Sequence, residues 1–95
     1  MIYLQSDFIA ISAAYERLVN KEDELHQKAK TCQTIIDLVI NDLLLSGESY
    51  HLMTVETLLN SLQSVQEEII IELSLVHIQK GISAFILKQA RDMGN

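Results

Sequence analysis

The sequence predicts an all-α protein, a long antiparallel helical hairpin with coiled-coil-like packing. The 95-residue chain has no proline and only three glycines, a composition that favours helices. Apolar residues recur at alternating spacings of three and four, and there is one clear turn signal near the middle. We therefore predict a single helical domain over 1–95, with a helix at about 4–46, a turn at about 47–51 and a helix at about 52–92.

The first helix is predicted from a seam of regularly spaced residues, all of which are apolar except Glu22. Residues at this spacing share one face of a helix. The seam consists of Leu4, Phe8, Ile11, Tyr15, Leu18, Glu22, Leu25, Ala29, Cys32, Ile36, Val39 and Leu43.

The turn is predicted within SGESYH, residues 46–51. Gly47 is a candidate for the C-terminal cap of the first helix, because glycine adopts the left-handed conformation at low cost. Ser49, or alternatively Thr54, is the candidate N-cap of the second helix.

The second helix is predicted from a matching seam that becomes polar at Lys80 and Ser83 and ends near a candidate capping residue, Gly94. A short turn between two helices makes them antiparallel, so that residues whose numbers sum to about 98 face each other. This register places Glu22 near His77 and Lys80. The second seam consists of Leu52, Val55, Leu59, Leu62, Gln66, Ile69, Leu73, Val76, Lys80, Ser83, Leu87 and Ala90.

A second apolar stripe lies nearly opposite the seam of the second helix, at about 100° per residue. We predict it to be a partner-binding surface and to concentrate exposed apolar area at the end of the hairpin away from the turn. A hairpin has one inner face, which the seam already occupies, so the hairpin cannot bury this stripe as well. Burying five or six large aliphatic side chains is worth roughly 10 kcal/mol before entropy costs, so we expect another surface to cover them. The stripe consists of Ile71, Leu75, Ile78, Ile82, Phe85 and Ile86.

Three coverings of this stripe are possible. The hairpin completes a four-helix bundle with a second copy, as a homodimer, or it binds the amphipathic helix of another protein. Alternatively, both helices break, near Asn20 and Gly81, and fold back into a compact four-helix monomer.

The formal charge of −6 argues against nucleic-acid binding and against docking on an anionic membrane. All charges between Thr31 and Gln79 are acidic. The N-terminal segment lacks a basic signal-peptide region, we expect no membrane span, and the lone Cys32 suits a reducing compartment. These features predict a cytoplasmic protein.

No arrangement of residues typical of a catalytic, metal or cofactor site is found. Asp23 and His26, and Glu48 and His51, have carboxylate–histidine spacing, but the second pair lies in the turn, far from the first. Cys32 is a seam position and is expected to act as a buried apolar residue.

The resulting hypothesis is a non-enzymatic protein–protein interaction module that covers an amphipathic helix of a partner, such as a small escort or secretion-type chaperone or an assembly subunit. The alternative is a compact monomeric four-helix immunity or regulatory protein that acts through its acidic face.

Overall fold

The computed structural model describes residues 5–93, and this part of the chain is helical throughout apart from the turn. Helix α1 spans Gln5–Ser46 and helix α2 spans Leu52–Met93, 42 residues each. A short 3-10 turn, Gly47–Ser49, lies between them. The chain is thus a helical hairpin, and the predicted helix limits agree with these bounds to within a residue. Leu4 and the predicted cap Gly94 lie outside the described residues.

Both helices are continuous at the two positions where the alternative four-helix monomer requires breaks. Asn20 lies in the interior of α1 and Gly81 in the interior of α2, and each has helical neighbours on both sides. A single glycine costs about 1 kcal/mol in a helix interior, which the neighbouring helix-forming residues can offset. The fold-back into four short helices is therefore not the structure of this chain.

The turn differs in detail from the prediction. Gly47 does not adopt a left-handed conformation; it begins the 3-10 turn, in which the Tyr50 amide donates to the Gly47 carbonyl at 3.2 Å. At the start of α2 the side-chain acceptor is His51 rather than Ser49 or Thr54, and the His51 carbonyl also accepts from the Thr54 and Val55 amides at 3.1 Å each. The Thr54 amide donates to His51 Nδ1 at 3.3 Å, and the Thr54 hydroxyl lies 2.8 Å from the same nitrogen.

The structure divides into two compact units. One combines the part of α1 up to Glu24 with the part of α2 from Leu73. Its most buried side chain is Val76, at 2% exposure. Here Lys80 Nζ lies 2.7 Å from Glu22 Oε1, and His77 Nδ1 lies 3.6 Å from Glu22 Oε2. The predicted proximity of Glu22 to His77 and Lys80 is confirmed.

The other unit is Leu25–Glu72 and contains the turn. Leu25, Cys32 and Ile69 form its core, and the Gln66 side-chain amide donates to Gln33 Oε1 at 2.9 Å across the two helices. This contact also agrees with the predicted antiparallel register.

The two predicted seams coincide with the buried faces of the helices. On α1 every seam position from Ile11 to Leu43 is buried or half-buried, and on α2 the same holds from Val55 to Ala90. The seam ends at Phe8 and Leu52 are exposed. The polar seam positions Gln66 and Lys80 are half-buried and make interhelical hydrogen bonds, which satisfies their polar groups.

Candidate protein-binding surfaces

The predicted stripe is exposed along α2. Four stripe residues in the part of α2 from Leu73 onward are 56–59% exposed: Leu75, Ile78, Ile82 and Phe85. Ile86, in the same part of the helix, is half-buried and so less exposed than these four. Ile71 belongs to the other unit and is 62% exposed. Five of the six predicted residues therefore present large apolar side chains to solvent.

The contrast between Val76 and Ile78 shows how helical spacing separates seam from stripe. Val76 faces α1 and is 2% exposed, while Ile78, two residues later, is 58% exposed. Two residues correspond to about 200° of rotation about the helix axis, so the two side chains point in nearly opposite directions. Because its own chain supplies one neighbouring helix, α2 can bury the Val76 side and not the Ile78 side.

The Leu25–Glu72 unit carries a second apolar surface that the sequence analysis missed. A groove of about 670 Å³ runs between α1 and α2 near the turn. Ile35 and Leu38 on α1, and Leu58 and Val65 on α2, contribute side chains that are 41–63% exposed. These residues line the groove together with Val39, Asp42, Leu43, Tyr50, Val55, Leu59, Ser61 and Leu62.

One carboxylate is held within this mostly apolar lining. The Tyr50 hydroxyl donates a hydrogen bond to Asp42 Oδ2, and both residues line the groove. This hydrogen bond to Asp42, together with the negative charge of the carboxylate, raises the pKa of Tyr50 above its ordinary value. The hydrogen bond places the Asp42 carboxylate beside Tyr50 at the groove.

The two sides of the Leu25–Glu72 hairpin differ in chemistry. The groove just described is apolar, whereas the hollow on the other side of the two helices is lined partly by Gln33, Gln63 and Gln66. The flank with the groove is thus apolar, whereas the other flank mixes amide side chains with apolar ones such as Ile40. A one-sided widening of an apolar seam is typical of helices that pack in a bundle of more than two helices.

The prediction that exposed apolar area concentrates away from the turn is wrong. Among the described residues, most of the large exposed apolar side chains lie in Leu25–Glu72, including Leu44, Leu45 and Met53 near the turn. The signal was present in the sequence as Ile35 and Leu38 on α1 and as Leu58 and Val65 on α2. Each residue lies just to one side of its seam, and the heptad reading did not consider that flank.

The charges of the two units are unequal. Leu25–Glu72 contains two lysines and seven acidic residues, a formal charge of −5. Both lysines, Lys28 and Lys30, precede residue 31, so the groove region from Ile35 onward has acidic charges only. The remaining residues of the chain carry five basic and six acidic side chains, a formal charge of −1.

No arrangement for metal or thiol chemistry is found within residues 5–93. Over that range there is no group of three or more His, Cys, Asp and Glu side chains that could hold a metal ion. Cys32 is buried in the seam, as its position predicted, and is a free thiol.

By length and composition alone, α2 could cross a membrane. An 18-residue window within Leu52–Asp92 has a mean hydropathy of 1.5, with 11% of the window buried. No such segment was predicted from the sequence, because no uninterrupted apolar run approaches the roughly 20 residues of a membrane span. Long core helices of soluble proteins pass the same test, so this finding assigns no location.

Comparison with known proteins gives no relative from which a role could be transferred. No protein-family model matches the sequence, and neither the curated proteins nor the solved structures include a significant match.

Proposed function

We propose that this protein is a non-enzymatic interaction module that covers an amphipathic helix supplied by another chain. The observation that carries the proposal is the exposure of Leu75, Ile78, Ile82 and Phe85 along one helix. Monomeric soluble proteins rarely leave an apolar stripe of this length in water, and such surfaces mark interaction sites. Ile71 and Ile86 are included in the proposed binding stripe.

The proposed complex is a four-helix bundle in which the hairpin contributes two helices. A helix of the second chain would lay its apolar face along α2, with anchors at i, i+3 or i+4, and i+7. The part of the chain around the stripe is nearly neutral, so electrostatic repulsion does not oppose a second copy. The second chain is either a partner protein or another copy, as a homodimer.

In the cell, this activity corresponds to a small cytoplasmic escort, such as a secretion-type chaperone, or to a subunit of a helical assembly. An escort shields an amphipathic helix that would otherwise aggregate, and an exposed aliphatic stripe supplies the required surface. The free thiol of Cys32 is compatible with a reducing compartment.

A second candidate function is that of a regulator that acts as a monomer through its acidic face. The charge of −5 on Leu25–Glu72 favours this candidate. Such a regulator would use the hairpin itself, since both helices are continuous. It differs from the leading proposal in requiring no partner on the stripe.

The Ile78→Asp variant tests the leading proposal, with Ala84→Asp as the matched control. Both positions are exposed on α2 and both substitutions add one negative charge, but at about 100° per residue Ala84 lies on a different face of the helix from the stripe. Ile78→Asp is expected to weaken dimerisation, or co-purification of the partner from the native host, by more than about tenfold, whereas Ala84→Asp retains it.

Circular dichroism of the same two variants separates binding from folding. Both are expected to keep the helical content of the unaltered protein. Loss of helicity in Ile78→Asp alone would identify the stripe as ordinary core, and equal behaviour of the two variants in the binding assay would rule the stripe out as an interface.

A further inference from the structure

We infer that the groove between α1 and α2 in Leu25–Glu72 is a second docking site, and that it takes a basic amphipathic helix of another protein. The site is distinct from the stripe, so the inference holds whether or not the stripe proposal is correct. Its apolar walls are formed mainly by Ile35, Leu38, Leu58 and Val65, with Tyr50 and the carboxylate of Asp42 near the turn.

The shape of the groove fits about three turns of helix. Its lining extends over residues 35–43 on α1 and 55–65 on α2. At 1.5 Å per residue, this corresponds to roughly 15 Å of helix axis. A docked helix of that length presents three apolar anchors, at i, i+3 or i+4, and i+7, which is the usual pattern of helix-in-groove recognition.

The charge around the groove determines the kind of helix. Asp42 lies in the lining itself, and from residue 31 to residue 72 the chain has no lysine or arginine. Lysine and arginine on the polar face of the docked helix would complement this field, whereas acidic residues would be repelled. The acidic residues in this range are Asp37, Asp42, Glu48, Glu56, Glu67, Glu68 and Glu72.

The same charges argue against a second copy as the occupant of the groove. If two copies docked through this surface, two units with a formal charge of −5 each would meet. Juxtaposed like charges oppose association and slow the encounter of the two molecules. The groove thus differs from the stripe, whose surroundings are nearly neutral.

The test uses two synthetic helical peptides with the same leucine face, one with lysine and one with glutamate on the polar face. Binding to the full-length Ile78→Asp protein is measured by fluorescence anisotropy, so that the stripe does not compete. At about 0.1 M salt, where the Debye length is about 10 Å, the lysine peptide is expected to bind at least about tenfold more tightly. At about 1 M salt the preference shrinks, because the charges are screened.

Substitutions in the groove locate the site. On the Ile78→Asp background, Leu58→Asn and Val65→Asn are each expected to weaken binding of the lysine peptide about tenfold. Ser64→Asn is the matched control, since it places the same side chain at an exposed position outside the groove lining. Circular dichroism verifies that all three variants remain helical.

Four results would overturn the inference. They are no binding of the lysine peptide, equal affinity for the two peptides, equal loss in Ser64→Asn and Val65→Asn, and a dimer of the Ile78→Asp protein that Leu58→Asn dissociates. The last result would make a second copy the occupant of the groove. None of these outcomes bears on whether the stripe binds a partner, which the comparison of Ile78→Asp with Ala84→Asp decides separately.

Discussion

Lys80 Nζ lies 2.7 Å from Oε1 of Glu22, a residue 58 positions earlier in the sequence. Both residues occupy seam positions that would otherwise hold apolar side chains, and both are largely shielded from solvent. A hydrogen-bonded polar pair within an apolar seam is satisfied in one alignment of two helices and unsatisfied when either helix slides by a turn. The pair therefore favours this antiparallel register over shifted ones.

The Glu22–Lys80 pair predicts a loss of stability at high pH. Its hydrogen bond to Glu22 raises the pKa of Lys80 above the ordinary value of 10.5. Because the pKa is higher in the folded state, the pair's contribution is fully present below about pH 10.5 and is lost as the pH rises through the folded-state pKa. Urea unfolding of the unaltered protein from pH 8 upward is expected to show this decline.

Lys80→Met is the control for this measurement. The variant keeps the length of the side chain but has no ammonium group, so the stability difference between it and the unaltered protein is expected to change above about pH 10.5. A difference that stays constant through that range would show that the ion pair does not contribute.

This register could be predicted from the sequence because two independent apolar seams had to face each other. The same register also places the single charged position of the first seam, Glu22, near His77 and Lys80. The helix limits were predictable for a similar reason, since the chain has no proline and one clear turn around Gly47. Long helices are the most predictable elements when apolar residues recur at a regular helical spacing and glycine and proline are rare.

Gly81→Ala is expected to stabilise the protein by about 0.5–1 kcal/mol. Gly81 is helical and exposed, and a Cβ atom at this position would meet no atom within 4 Å. Alanine therefore lowers the entropy of the unfolded chain without a steric penalty. Thermal unfolding followed by circular dichroism checks the result, and a lower melting temperature would indicate that the helix needs to bend at this residue.

Leu25→Ala is expected to cost about 2–5 kcal/mol in the free energy of unfolding. Leu25 is 3% exposed and lies in the core of its unit. Leu45→Ala removes the same atoms from a side chain that is 85% exposed, so its effect is expected to stay within about 0.5 kcal/mol. Urea denaturation measures both, and similar costs for the two variants would show that the seam is not the core.

His51→Ala is expected to destabilise the protein by less than about 1 kcal/mol, because the Thr54 amide loses its side-chain acceptor but keeps the carbonyl of residue 51, 3.1 Å away. His51→Asp restores a side-chain acceptor and places a negative charge at the positive end of the helix. Its stability is therefore expected to equal or exceed that of the unaltered protein. Identical stabilities for the alanine and aspartate variants would mean that the cap has no effect.

Two features were not predicted from the sequence, the cap at the start of α2 and the groove. Both depend on contacts made in the folded chain and not on the regular spacing of apolar residues. His51 is not among the preferred N-capping residues, and its role at the start of α2 follows from the position of Nδ1 beside the Thr54 amide. The groove was missed because its walls, such as Leu38 and Leu58, lie just beside the seams that the alternating spacing defines. Which flank of a seam stays open is decided when both helices are in place.

Sedimentation velocity at micromolar concentration, combined with binding of a hydrophobic dye, tests the central claim most directly. That claim is that the apolar surfaces of this 10.8 kDa chain are covered by another molecule. We expect the purified protein either to sediment as a homo-oligomer or, as a monomer, to bind the dye through its uncovered stripe and groove. A monomer that binds no dye would contradict the claim, because its apolar side chains would then be covered within a single chain.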